Sequence, residues 1–240
     1  MFGINTGDTS PDRYHDVWLV VPAFNEASVI AEVIADVRTV FEHVVCVDDG
    51  SRDDTGERAL AAGAHLVRHP VNLGQGAAIQ TGVEYARSRP GAAVFVTFDA
   101  DGQHRVKDVV RMIDRLVAEN LDIVVGTRFG ESAPQQMPRL RRILFPLIAK
   151  LSPASRKLGL TDAHNGLRVF NKTVADGLNL TMNGMSHASE FIAVVAEHNW
   201  RIAEEPVEIL YTDYSMAKGQ PLINGINIVF DGLLRGRMRK

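Results

Sequence analysis

The sequence predicts a single α/β domain built on a mostly parallel sheet flanked by helices, and three observations carry that prediction. Short Val-rich runs alternate with longer stretches of helical periodicity through residue 127, the pattern of parallel strands joined by crossover helices. Polar clusters follow the first, second, fourth and fifth of those runs, and ligands of open α/β sheets gather at the carboxyl ends of strands. With 240 residues, 45% of them hydrophobic and 23% charged, the chain can fill one core and lacks the bias of a disordered segment.

Strands are predicted at residues 18–21, 44–48, 65–68, 94–98 and 123–126, where β-branched and aromatic residues cluster between turn formers. Asn25 is expected to cap a helix beginning near Glu26, and Asp53 the helix after the second strand, because their side-chain oxygens can accept bonds from first-turn amides. Val106, Val109, Val110, Ile113, Leu116 and Val117 recur at three- and four-residue steps and mark the sheet-facing stripe of the helix after the fourth strand. Beyond Arg128 come a segment containing Pro and Arg, a strand near 167–170, a helix near 188–200 and a final strand near 202–211. No linker or repeat interrupts the chain, so 1–240 is expected as one domain, with 1–15 a flexible tail and two halves, 16–130 and 131–240, sharing one sheet.

The formal net charge of −3 speaks against a nucleic-acid binder, which needs a surplus of Lys and Arg along one face. The single cysteine, Cys46, lies in the apolar run 44–47 and is expected as a buried thiol in a reducing compartment. Residues 1–16 are polar and lack the apolar core of a secretory signal. The most apolar stretches, 143–151 and 223–234, are broken by Pro146, Lys150 and Asp231. Neither reaches the roughly 20 residues that span a bilayer, so a cytoplasmic protein with at most peripheral membrane contact is expected.

The chemistry sits at the strand ends. In Val94-Phe-Val-Thr-Phe-Asp-Ala-Asp-Gly-Gln-His104, Asp99 and Asp101 stand where a strand gives way to a loop. Hard cations such as Mg²⁺ take one or two carboxylates plus substrate phosphates, so the pair suits a metal diphosphate; taken alone it also reads as two solvated loop acids. The amide oxygen of Gln103 is a candidate third ligand. After the second strand, Val47-Asp-Asp-Gly-Ser-Arg-Asp-Asp-Thr55 is an acidic turn in which Gly50 permits a positive φ, and a carboxylate there can accept hydrogen bonds from a base or ribose. After the first strand, Val21-Pro-Ala-Phe-Asn-Glu26 offers an aromatic wall in Phe24 and an acceptor in Glu26.

The segments PAFNE, VDDGSRDDT, NLGQGAAIQTG and FDADGQH, followed by GTRFG at residues 126–130, closely resemble the nucleotide-sugar half of the family 2 glycosyltransferases. Among these, the polyprenol-phosphate (dolichol-phosphate) mannose and glucose synthases look most similar. The resemblance implies a GT-A fold with a Rossmann-like sheet, a nucleotide-sugar half over 16–130 and an acceptor half over 131–240. It implies donor contacts from Pro22, Phe24, Glu26, Val47, Asp49, Asp99, Ala100, Arg128 and Lys218. A Mg²⁺ or Mn²⁺ ion would be held by Asp99, Asp101 and Gln103. Asp101 and Arg128 would act in catalysis, by stabilising the charge on the leaving diphosphate. Arg168, in the turn Asn165-Gly-Leu-Arg168, and Glu190 would face the acceptor.

Two departures from the synthases bear on the acceptor. Thr212 stands where they carry an Arg ahead of the Lys matched by Lys218, and the turn reads Thr161-Asp-Ala-His-Asn-Gly-Leu-Arg168 in place of Asp-x-x-Ser-Gly-Phe-Arg. Glu190 admits three readings: catalytic general base, binder of a sugar hydroxyl, or acid favoured near a helix N-terminus. A hydroxyl acceptor needs a base, whereas a lipid phosphate, with a second pKa of about 6, arrives ionised. His104, His164 and His187 are expected as polar loop or supporting residues. Basic residues beside apolar ones in 139–150, and Arg235, Arg237, Arg239 and Lys240 in the tail, suit a helix at headgroup level; a core helix with a basic face is the other reading.

The function expected is an inverting, single-displacement transfer from a GDP- or UDP-sugar to polyprenyl phosphate or a related lipid-linked acceptor, in cell-envelope glycan synthesis. It would run peripherally on the cytoplasmic face of the membrane, with room for a homo-oligomer or a membrane-protein partner. The alternatives are transfer to a sugar hydroxyl with Glu190 as base, and a nucleotide-binding module without turnover. The latter calls for GxGxxG after the first strand, which residues 21–26 lack.

Overall fold

A computed structural model describes residues 11–129, 153–162, 165–182 and 186–210. Its seven strands are β1 (Val17–Ala23), β2 (His43–Asp48), β3 (His65–Arg68), β4 (Val94–Thr97), β5 (Ile123–Thr127), β6 (Arg168–Asn171) and β7 (Ile202–Pro206). They form one sheet in the order β3-β2-β1-β4-β6-β5-β7. All pairs are parallel except those of β6, which runs antiparallel between β4 and β5. The carboxyl ends of β1, β2, β4 and β5 and the start of β6 therefore share one rim. Because β6 comes from the back half of the chain, the two halves are joined inside the sheet.

Alternation along the strands divides the core into two layers, and the sheet is covered on both faces, as parallel sheets require. Val17, Leu19 and Val21 of β1 pack with α1 (Ile30–Arg38) and α4 (Val106–Ala118). Trp18 and Val20 pack on the other side with α3 (Gln75–Arg87), α6 (Lys172–Gly177) and α7 (Ser186–His198). Two shorter helices, α2 (Thr55–Ala61) and α5 (Pro153–Leu158), complete the described set. Pro22, which has no amide to donate, lies beyond the last β1–β4 register pair, Val20↔Thr97, where no ladder bond is needed. Helix α4 buries Val106, Val109, Met112, Ile113 and Leu116, with Val110 and Val117 half-buried beside them, so the stripe read from the sequence is the one used. Gly82 lets α3 press against β1, since a Cβ there would fall 2.3 Å from Val20 Cγ1. Cys46 is buried, and burial, followed by the charge of Asp48, pushes its thiol up to about 12.

Four expectations change. Residues 11–14, expected within a flexible tail, are ordered against the domain: Pro11–Tyr14 form a 3₁₀ turn, Arg13 pairs with Asp114, and the ring of the buried Tyr14 lies 5.1 Å from that of Phe41. Asn25 caps nothing. It adopts φ +54 and spans to the next loop, its Oδ1 accepting from Arg52 N at 2.9 Å and its amide donating to Ser51 Oγ at 3.0 Å. Helix α1 begins later, at Ile30, with Val29 at its cap position and no side-chain cap. Asp53 does accept from a first-turn amide, Thr55 N, at 3.1 Å, but its other oxygen accepts from Ala27 N at 3.2 Å. The last described strand ends at Pro206: Val207 N still donates to Thr127 O at 2.9 Å, but Glu208 N donates to Asp108 Oδ2 at 2.8 Å and Leu210 N to Gln103 O at 2.9 Å.

Candidate functional site

The rim gathers the loops after β1, β2, β4 and β5, the first turn of α3 and the turn leading into β6. Thr97, the last residue of β4, donates through Oγ1 to Gly166 O at 2.6 Å and so draws the β6 turn over the loop that follows. There Asp99 accepts from Gln75 Nε2 at 3.1 Å through Oδ1 and pairs with His104 Nε2 at 3.0 Å through Oδ2. Burial alone would raise the Asp99 carboxyl. The hydrogen bond and charge of His104, with Arg168 and His187 behind them, outweigh it and hold the group below the ordinary Asp value. Gly166 is required beside it, because a Cβ there would stand 2.1 Å from Asp99 Oδ2.

Asp101 behaves in the opposite way. Burial, and next the charge of Asp99, push its carboxyl up to about 6, with Glu26 adding to the rise and His104 and the Gln103 amide opposing it. Its Oδ1 accepts from Gln103 N at 3.0 Å, a local turn that points the loop back on itself. An acid that resists ionisation beside a second, ionised acid marks a place short of positive charge, and carboxylate oxygens are the donors a hard divalent cation takes. Among the described residues no group of three or more His, Cys, Asp or Glu side chains could hold a metal by itself. That suits an ion bound by one or two carboxylates together with substrate phosphates. An ion held by the Asp101 carboxylate would have to displace its proton below about pH 6. Mn²⁺ affinity measured calorimetrically is therefore expected to be flat above that pH and to fall by up to about tenfold per unit below it; a flat profile down to pH 5 would refute the assignment.

The cations are held differently from one another. Arg128 forks onto Asp162, Nε to Oδ2 at 2.6 Å and Nη2 to Oδ1 at 2.7 Å, while its own amide donates to Oδ2 at 3.0 Å. Arg168, 1% exposed, lies with its guanidinium carbon 4.7 Å from the centre of the Phe191 ring. Among the described residues its Nε and Nη1 have no hydrogen-bond partner. Burial lowers its pKa to about 10 against the opposing charges of Asp99 and Asp162.

Of the residues expected to touch a donor, Phe24 is exposed at the rim and Glu26 is half-buried near Asp101. Pro22 and Ala100 are buried there. Val47, paired with both Pro22 and Val67, has its side chain buried in the α3 layer, so only its backbone lies toward the rim. Asp49 is committed to the chain, accepting from Leu73 N at 2.9 Å and Gly74 N at 2.8 Å and pairing with His69 Nδ1 at 2.7 Å. It thereby shapes the start of α3, from which Gln75 reaches Asp99. Gln103 bonds Asp101 and Leu210 through its backbone. Glu190 accepts from Thr181 N and Met182 N, at 2.9 and 2.8 Å through Oε2, and from Thr181 Oγ1 at 2.7 Å. His164, Thr212, Lys218, the segment 139–150 and the basic tail lie outside the described residues.

Sequence reasoning did not single out Asp162, Gln75 or Glu204. The first two lay inside segments already quoted, but nothing local distinguishes an acid or amide that reaches across the fold.

The model of Glycosyl transferase family 2 matches residues 18–178 of the chain. A UDP-N-acetylglucosamine–dolichyl-phosphate N-acetylglucosaminyltransferase of Methanococcus voltae is 27% identical over 89% of this chain and 93% of its own. A dolichyl-phosphate hexose transferase of Haloferax volcanii is 32% identical over 81% of this chain and 82% of its own. In fold, the chain resembles glucosyl-3-phosphoglycerate synthase of Mycobacterium tuberculosis, solved with Mn²⁺, UDP and glucosyl-3-phosphoglycerate. The TM-score is 0.69 at 20% identity, over 95% of this chain and 81% of that one.

Proposed function

Because the chain belongs to glycosyl transferase family 2 and is a glycosyltransferase, we propose that it moves a sugar from a nucleoside diphosphate to a polyprenyl phosphate or closely related lipid-linked acceptor. The donor is a UDP- or GDP-sugar, and the transfer inverts the anomeric carbon in a single displacement. Relatives named for dolichyl-phosphate transfer support the acceptor class. The observation that carries it is Arg168, a buried cation with two guanidinium nitrogens unmatched among the described residues. Buried donors left without acceptors are costly, and an anionic acceptor offsets that cost with charge-assisted bonds.

Asp99 and Asp101 would hold Mg²⁺ or Mn²⁺, with the Gln103 amide oxygen as a further candidate ligand. When bound, the ion supplies charge neutralisation at the diphosphate. His104 and Gln75 keep Asp99 ionised and oriented for that task. A phosphate oxygen of the acceptor, oriented by Arg168, forms the bond to the anomeric carbon. The bond from that carbon to the diphosphate oxygen breaks, and its electron pair leaves with the diphosphate, whose growing charge Arg128 stabilises. Phe24 and Glu26 at the rim are assigned to the nucleoside side of the donor, and Lys218 to its phosphates. No proton moves, so no general base is required.

Glu190, already accepting hydrogen bonds from three donors of residues 181 and 182, is assigned to shaping the acceptor side rather than to proton transfer. Glu190→Gln is expected to keep kcat within about tenfold and to change mainly acceptor KM. A hundredfold loss at saturating acceptor, within the range of general-base catalysis, would favour a hydroxyl acceptor instead. Among the described residues no helix is long and apolar enough to cross a membrane, and we assign the enzyme to peripheral action on the cytoplasmic face. Incubation with a panel of nucleotide sugars and polyprenyl phosphate, followed by mass analysis of the lipid, tests the proposal; sugar appearing only on free glycans would overturn it.

A further inference from the structure

We infer that Asp162 and Glu204 are positioning residues for the transfer, acting in series on Arg128; the inference rests on the reading of Arg128 as the cation at the leaving diphosphate. Asp162 receives three bonds from one residue, two from the guanidinium fork and one from the Arg128 amide. Its side chain is 2% exposed and that of Arg128 21%. A fork–fork pair fixes the guanidinium plane as a point charge would not. The charge of Asp162 is felt at the buried Arg168 as well, but the contacts it makes are with Arg128.

Asp162 lies in a turn that Glu204 holds. From the edge strand β7, Glu204 accepts from Thr161 N at 2.7 Å and Asp162 N at 2.8 Å through Oε1, and from Thr161 Oγ1 at 2.7 Å through Oε2. Thr127, next to Arg128, closes the loop with a 3.0 Å contact between its hydroxyl and that of Thr161. Three segments far apart in sequence thus meet in one relay: Glu204 fixes the Thr161–Asp162 turn, the turn fixes the carboxylate, and the carboxylate fixes Arg128. Misplacing a catalytic group by about 1 Å can cost on the order of a hundredfold in rate.

A double-mutant cycle with the full chain, nucleotide sugar and polyprenyl phosphate tests the relay. Asp162→Asn keeps the shape of the side chain and removes its charge. It is expected to lower kcat about ten- to a hundredfold, and Glu204→Gln to lower it less, both with donor KM nearly unchanged. In an Arg128→Ala background neither change should lower kcat further. Equal losses in the two backgrounds would show that the turn acts by some route other than Arg128 and would overturn the inference while leaving the proposed reaction intact. Full activity in Arg128→Ala alone would instead refute the role given to Arg128, and the relay with it. Should Asp162→Asn fail to fold, the Glu204→Gln arm of the cycle gives the same decision.

Discussion

Asp101→Ala is expected to abolish transfer, by about a thousandfold or more, and to remove metal-dependent donor binding. Charge stabilisation by a bound divalent ion is worth several kcal/mol in such reactions, and each 1.4 kcal/mol is about a factor of ten in rate. Asp101 has burial and a neighbouring carboxylate working against its ionisation, which raises its pKa to about 6, and a bound cation would offset both. The parent enzyme should lose activity in EDTA and recover it with Mn²⁺, and the variant should do neither. A parent that turns over undiminished in EDTA would remove the basis of the assignment.

Gly166→Ala is expected to come close to that loss without touching a charged group. The added Cβ would meet Asp99 at 2.1 Å from Oδ2 and 2.7 Å from both Cγ and Oδ1. The carboxylate is held by Gln75 and His104, and the Gly166 carbonyl is held by Thr97, so neither side can retreat cheaply. We expect metal-dependent nucleotide binding to weaken more than tenfold and turnover to fall at least a hundredfold. Overpacking of this kind costs about 1–3 kcal/mol of stability, which at about 2–4 °C per kcal/mol for a chain of this length lowers the melting temperature by about 2–12 °C. Calorimetry of Mn²⁺–UDP and Mn²⁺–GDP binding on the folded variant decides it: parental affinity for whichever nucleotide the parent binds would mean that Asp99 does not help to hold the ion.

The strand and helix pattern through residue 127 was legible because each element carries its own period. Val17 to Val21 alternate between two apolar layers, and the α4 stripe repeats every three to four residues, and burial of that repeat is what forms the element. Asp99 and Asp101 were legible for a related reason, since two acids at the end of an apolar strand conflict with local burial unless something binds them. The caps were less legible. Asn25 has the right side chain for a cap, but Arg52 of the next loop competes for the same oxygen and wins, so α1 starts four residues later than its local signal suggests.

Sequence alone therefore determined the α/β class, the strand ends that bear the chemistry, the acidic pair and, through its motifs, the family. Those properties depend on the order and spacing of neighbouring residues, which the chain carries wherever it lies. Tertiary structure decided what the charged residues are bound to: Arg128 to Asp162, Asp162 to the turn held by Glu204, Asp99 to His104 and Gln75, Asp49 to the start of α3, and Arg168 to the face of Phe191. Hydrogen bonds and ion pairs act over a few ångströms in space, and which groups come within that range depends on β6 passing between β4 and β5, a non-local pairing that no local pattern encodes.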